Sequence, residues 1–129
     1  MSATQTLSRN RTSLATVACH ILDDGEESWK GWLFEFVDDF RKEASRAMLA
    51  DAPPTVLTDR LRCLLASTVE ALCVEQGWQP PVWCAAVGPL ATPWFVSGVE
   101  NLKASALVES PLAFRKRNLF VLGNFLDRA

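Results

Sequence analysis

The chain has one histidine, His20, and no run of eighteen or more apolar residues. The first scarcity confines imidazole chemistry to a single place. The second leaves no segment that reads as a membrane-spanning helix. Missing as well are a glycine-rich phosphate loop, a G-x-S-x-G nucleophile elbow and any paired metal-binding motif, so no catalytic residue and no cofactor is expected. Charge of one sign is not in excess either. The formal net charge is -2, which argues against nucleic-acid binding driven by overall charge and leaves only local basic patches to consider.

Four cysteines are present, Cys19, Cys63, Cys73 and Cys84, but none lies at the close spacing of a zinc knuckle. His20 adjoins Cys19 rather than standing at a ligating distance along the chain, so no metal site is expected. Free thiols packed in a reducing compartment are the expectation, with Cys63 and Cys73 inside an apolar helix and Cys84 beside Trp83. Arg9 and Arg11 ahead of Leu14–Cys19 mimic an export signal with a lipidated cysteine. The apolar run is too short for one, and the chain reads as cytoplasmic. With 129 residues, 49% of them hydrophobic and 22% charged, it reads as globular and large enough for one core.

Hydrophobic periodicity predicts an all-α, compact single-domain bundle of about five helices over residues 13–129, preceded by a flexible arm at residues 1–12. Ser13 to Leu22 forms a short helix, capped by Thr12 or Ser13 and ended at Asp23-Asp24-Gly25. In the next, Trp29, Trp32, Leu33, Phe36, Val37 and Phe40 fall on one stripe, which Ala44, Ala47 and Met48 extend until Asp51-Ala52-Pro53-Pro54. A third helix runs from about Thr58 to Gln76 and ends at Gly77. Cys63, Val69 and Cys73 widen its apolar surface beyond a stripe, which places it at the centre of the core.

From Gly77 to Phe95, Pro80, Pro81, Pro89 and Pro93 alternate with Trp78, Trp83 and Trp94. This reads as an extended connector held by aromatic packing. The other reading, an aromatic-lined ligand pocket, requires a polar constellation that the sequence does not display. Ser97-Gly98-Val99-Glu100 matches a capping box for a helix to about Glu109. Ser110-Pro111 starts another, and Asn118 is suited to the left-handed conformation that closes it. Leu119–Leu122 is a minor short β element near the C-terminus, with part of Pro81–Val87 as its strand partner. The predicted core comprises Trp32, Leu33, Phe36, Phe40, Leu61, Leu65, Leu72, Leu102 and Phe114.

Three sets of residues bear on function. Arg115-Lys116-Arg117 is the densest positive charge. It suits phosphate or an acidic partner, unless its arginines lie over the domain's own aromatics and pair with Glu109 or Asp127. Phe34 stands off the main stripe and suits a partner-binding anchor. Cys19 with His20 is the remote option of a thiol-dependent enzyme. Asp38-Asp39 is not a paired-carboxylate site, because adjacent helical residues diverge by about 100 degrees.

A resemblance adds to this. Pro93-Trp94-Phe95, Glu100-Asn101-Leu102-Lys103-Ala104 with Ala106-Leu107, Glu109-Ser110-Pro111 with Phe114-Arg115-Lys116-Arg117-Asn118, and Phe120-Val121 before Asn124–Ala129 resemble a family of small bacterial antitoxin-like proteins. The same segments are similar to the C-terminal domain of some helix-turn-helix regulators encoded near nucleotidyltransferase-type toxins. The resemblance covers about Trp29 to Ala129 and is most specific in the last forty residues. It implies a non-enzymatic protein-interaction module with a protein partner, such as a co-encoded toxin, and it carries no catalytic residues. Met1 to Asp24 is too short for a helix-turn-helix domain, so the alternative, a nucleic-acid-binding accessory role, falls to Arg115, Lys116 and Arg117. The candidate partner-binding residues are therefore Phe34, Arg115, Lys116 and Arg117.

Overall fold

A computed structural model describes residues 13–98 and 102–128 of the chain. These divide into two compact units, with the boundary between Leu57 and Thr58. The fold is helical, as the periodicity predicts. Six α-helices are present among the described residues, one more than expected, together with one two-stranded parallel sheet.

In the first unit, α1 spans Leu14–Asp24. Ser13 caps it by accepting the Thr16 amide at 3.1 Å, and Leu14, Val17, Ala18 and Ile21 form its buried face at helical spacing. Gly25, at φ 102°, turns the chain out of the helix in a conformation that disfavours other residues. Helix α2, Trp29–Lys42, packs on α1 and buries Leu33, Phe36, Val37 and Phe40. Trp32 does not join this core. It is half-buried, with its ring stacked on His20 at 4.2 Å and its Nε1 donating to Asp24 Oδ2 at 3.0 Å.

Helix α2 also stops sooner than its stripe predicts. Glu43 leaves helical geometry at φ -152°, and Ser45 starts a separate 3-10 turn, Arg46–Leu49, by accepting the Ala47 amide. The serine oxygen competes with the helical ladder for a backbone donor. Met48 and Leu49 are buried by this turn, whereas Ala47 is exposed.

The second unit is built on α3, Asp59–Gln76. Thr58 caps its start and Gly77, at φ 72°, closes its end. Every residue from Cys63 to Glu70 is buried, as are Leu61, Leu72 and Cys73, so the widened apolar surface does mark a central helix. The connector after it is not wholly extended. It contains a four-residue helix, α4 (Val82–Ala85), which packs on α3 and buries Cys84. The chain then forms β1, Trp94–Phe95.

Of the proposed capping box, Val99 and Glu100 lie outside the described residues, as does the arm at residues 1–12; α5 is described from Lys103 to Glu109. Leu102 is half-buried rather than core. Pro111, not Ser110, occupies the cap position of α6, Leu112–Arg115. The Ser110 hydroxyl is committed elsewhere: it donates to the Leu119 carbonyl and accepts the Val121 amide, each at 3.2 Å. Asn118 adopts the expected left-handed conformation at φ 67° and leads into β2, Leu119–Phe120. That strand pairs in parallel with β1, Trp94 opposite Leu119 and Phe95 opposite Phe120, and not with Pro81–Val87. The prolines and the α4 turn take the latter segment out of strand geometry.

Candidate functional site

The turn from α6 into β2 determines what the basic segment does. Arg117 donates its amide to the Phe114 carbonyl and Asn118 to that of Arg115, which curls the segment back against α3. Arg117 is consequently only 3% exposed and forms a bidentate pair with Glu70, Nη1 to Oε1 at 2.8 Å and Nη2 to Oε2 at 3.0 Å. Its remaining N–H groups donate to backbone carbonyls, Nε to Val87 at 3.0 Å, Nη2 to Cys84 at 2.7 Å and Nη1 to Ala113 at 3.2 Å. A guanidinium has five N–H donors, and these contacts employ all of them.

Lys116 reaches the same carboxylate, Nζ to Oε1 at 2.7 Å. Burial alone would raise the Glu70 pKa. The hydrogen bonds and positive charges of Arg117 and Lys116 outweigh it and hold the carboxyl below its ordinary value.

Arg115-Lys116-Arg117 therefore does not present three outward cations, and internal pairing holds for Arg117. Arg117 is a buried structural residue, so it is removed from the partner-binding set, and its counter-ion is Glu70 rather than Glu109 or Asp127. Glu109 instead accepts the Gly123 amide at 3.0 Å. Arg115 is exposed, Lys116 is half-exposed beside Glu70, and Phe34 is half-buried on α2 in the other unit.

Three thiols are buried and one, Cys19, is exposed. Burial raises the Cys63 pKa despite the nearby Arg117 charge, and its Sγ donates to the Gly88 carbonyl at 3.1 Å. Burial, with the Glu70 charge adding to it, pushes Cys84 up to about 12. Neither carries appreciable thiolate near neutral pH, the form a nucleophile requires. The His20 ring beside Cys19 is occupied by its stack on Trp32. Among the described residues, no group of three or more His, Cys, Asp or Glu side chains is placed to hold a metal. Nor is any helix among them long and apolar enough to cross a membrane.

The second unit also presents features that sequence reasoning missed. A cleft of about 300 Å³ lies between the start of α3, with Asp59, Arg62 and Cys63, and the connector segment 86–91. No tryptophan lines it, so it is not the aromatic-lined pocket that the connector's composition allows. Trp94 and Phe95 of β1 pack on β2 and on nearby cations instead: Phe95 stacks on Phe120 at 5.1 Å, Lys103 lies 5.2 Å over Phe95, and Arg60 lies 5.2 Å over Trp94. On α5 and α6, by contrast, aliphatic side chains face solvent, with Leu107 48%, Val108 79% and Leu112 69% exposed.

No protein-family model, no curated protein and no solved structure matches this chain.

Proposed function

We propose that the chain is a non-enzymatic protein-interaction module, an antitoxin-like or regulatory partner of a co-encoded protein such as a toxin. The observation that carries this reading is the exposed aliphatic surface of α5 and α6. Leu107, Val108 and Leu112 lie close together in sequence and expose large apolar side chains, the kind of surface that partners cover. Support also comes from the fate of the ionic groups. Glu70 takes up Arg117 entirely and engages Lys116 as well, so the basic segment does not offer phosphate three free cations.

Co-expression with the product of the adjacent gene tests the reading. The two proteins are expected to co-purify, with the activity of that product suppressed. Val108→Asp and Leu112→Asp are expected to abolish co-purification while leaving the circular dichroism of the chain unchanged, since both side chains are exposed. Separate elution of the two proteins, with the product's activity untouched, would overturn it.

A further inference from the structure

The aliphatic face of α5 and α6 carries charge of a definite sign. Lys116 donates its amide to the Leu112 carbonyl and Arg115 to that of Pro111, so both cations stand one helical turn from exposed apolar residues. Arg115 is exposed and its side chain has no ion-pair partner among the described residues. The single negative charge of Glu70 faces both Lys116 and Arg117, so that cluster keeps a net positive charge, with the Lys116 ammonium half-exposed. Between Leu107 and Lys116 the one carboxylate is Glu109, which is bound to the Gly123 amide. Residues 102–128 hold five basic residues against two acidic ones.

The first unit has the opposite balance, with four basic and nine acidic residues over 13–57. Where α1 ends, Leu22, Asp23, Asp24, Glu26 and Glu27 are all exposed. None of these four carboxylates forms an ion pair among the described residues, and only Asp24 is occupied, by the Trp32 Nε1–H. The last turn of α1 holds no basic residue, so Asp23 and Asp24 oppose the helix dipole and do not stabilise α1. The chain thus carries, on separate units, aliphatics beside cations and a leucine beside unpaired carboxylates.

We propose that the basic aliphatic face of α5 and α6 docks a second copy of this chain, which presents its acidic turn at residues 22–27. Opposite charge orients the contact, and burial of Leu107, Val108 and Leu112 supports it. Because the two faces differ, the contact is heterologous; it extends head to tail unless two copies exchange both faces. An anionic membrane fits the face less well, because Glu109 stands among its aliphatics. The assignment does not rest on the partner reading: a co-encoded protein and a second copy compete for the same aliphatics.

Sedimentation equilibrium of the whole chain tests the proposal. Its average mass is expected to rise with concentration above that of the monomer, and the association to weaken at least tenfold between about 0.05 M and about 0.5 M sodium chloride. Arg115→Glu, and separately Asp23→Lys with Glu26→Lys, are expected to weaken self-association about tenfold or more with unchanged circular dichroism, since these side chains are exposed. Mixing the two variants is expected to restore association, because each supplies the face the other has lost. If either variant does not fold, the concentration and salt series of the natural chain decides alone. A monomer at every concentration and salt, association indifferent to salt, or variants that associate like the natural chain would each overturn the proposal. So would a mixture that stays monomeric. A monomeric chain that sediments with phosphatidylserine vesicles through Arg115 gives the face to a membrane instead, and one that binds only the adjacent gene product gives it to that protein; both outcomes overturn self-docking, and the second leaves the partner reading standing.

Discussion

Replacing Arg117 by alanine strikes the second unit at its most heavily bonded side chain. The substitution deprives Glu70 of its bidentate partner and strips the carbonyls of Cys84, Val87 and Ala113 of a donor each. Buried acceptors left without donors cost roughly 1–3 kcal/mol apiece, and breaking a buried ion pair from one side costs about 3–5 kcal/mol. These overlap, and Lys116 still offers Glu70 a countercharge at 2.7 Å, so the expected loss is about 3–5 kcal/mol in total. That is a large share of the ~5–15 kcal/mol that stabilises ordinary domains. Lys116→Ala removes only the half-exposed member and is expected to cost less than about 1 kcal/mol. Urea unfolding followed by circular dichroism measures both variants. Acid provides an independent check. Because the Glu70 pKa is held below its ordinary 4.5, its contribution is fully present above that pH and is lost as pH falls through the native value. The stability gap between the natural chain and Glu70→Gln should therefore be constant above about pH 4.5 and close below it. Equal losses for Arg117→Ala and Lys116→Ala, or a gap that widens in acid, would refute the account of Arg117 as a buried structural cation.

Alkylation of the native chain near neutral pH is expected to label exposed Cys19 first and to leave Cys63, Cys73 and Cys84 protected until unfolding; rapid labelling of Cys84 would contradict its burial and its elevated pKa. Asn118→Ala is expected to cost about 1–2 kcal/mol, because alanine strains at φ 67° and the bond to the Leu90 carbonyl is lost, whereas Asn118→Gly loses only the bond; equal costs in thermal melts would count against a conformational role. A low-salt mobility assay is expected to show no salt-sensitive retention of RNA or DNA that depends on Lys116, since that lysine is already paired with Glu70; retention that weakens with salt and disappears in Lys116→Ala would restore the nucleic-acid reading.

What the sequence revealed about the fold was whatever a few neighbouring residues decide. Ser13, Thr58, Gly25 and Gly77 act within one turn of themselves, and the observed helix ends follow them. The early stop of α2 was missed because Ala44 and Met48 continue its apolar period, although Ser45 is itself a cap residue and hence a readable signal. Two-residue strands have no such signal. Nothing in Leu119–Phe120 distinguishes Trp94–Phe95 from Pro81–Val87 as a partner until the connector is folded and α4 has removed the latter. The cleft was illegible for the same reason, since Arg62 meets residues 86–91 only once the chain has turned at Gly77 and α4.

The Glu70–Arg117 pair lies between these cases. Its members stand 47 residues apart, so no local rule joins them. Yet Glu70 sits seven residues after Cys63 and three before Cys73, on the very surface that broadens the apolar face of α3. An acidic residue there must either open that face to water or find a buried counter-ion, because an unpaired carboxylate is too costly to enclose. A helix that is apolar nearly all round is committed to burial, which excludes the first outcome. Arg115, Lys116 and Arg117 form the densest cationic segment available to answer it, and the left-handed turn at Asn118 is the device that brings Arg117 inward. The most deeply held of the charges that suggested an external ligand is thus answered by an internal one, which is why a functional reading of this chain passes from its basic segment to the exposed aliphatics of α5 and α6.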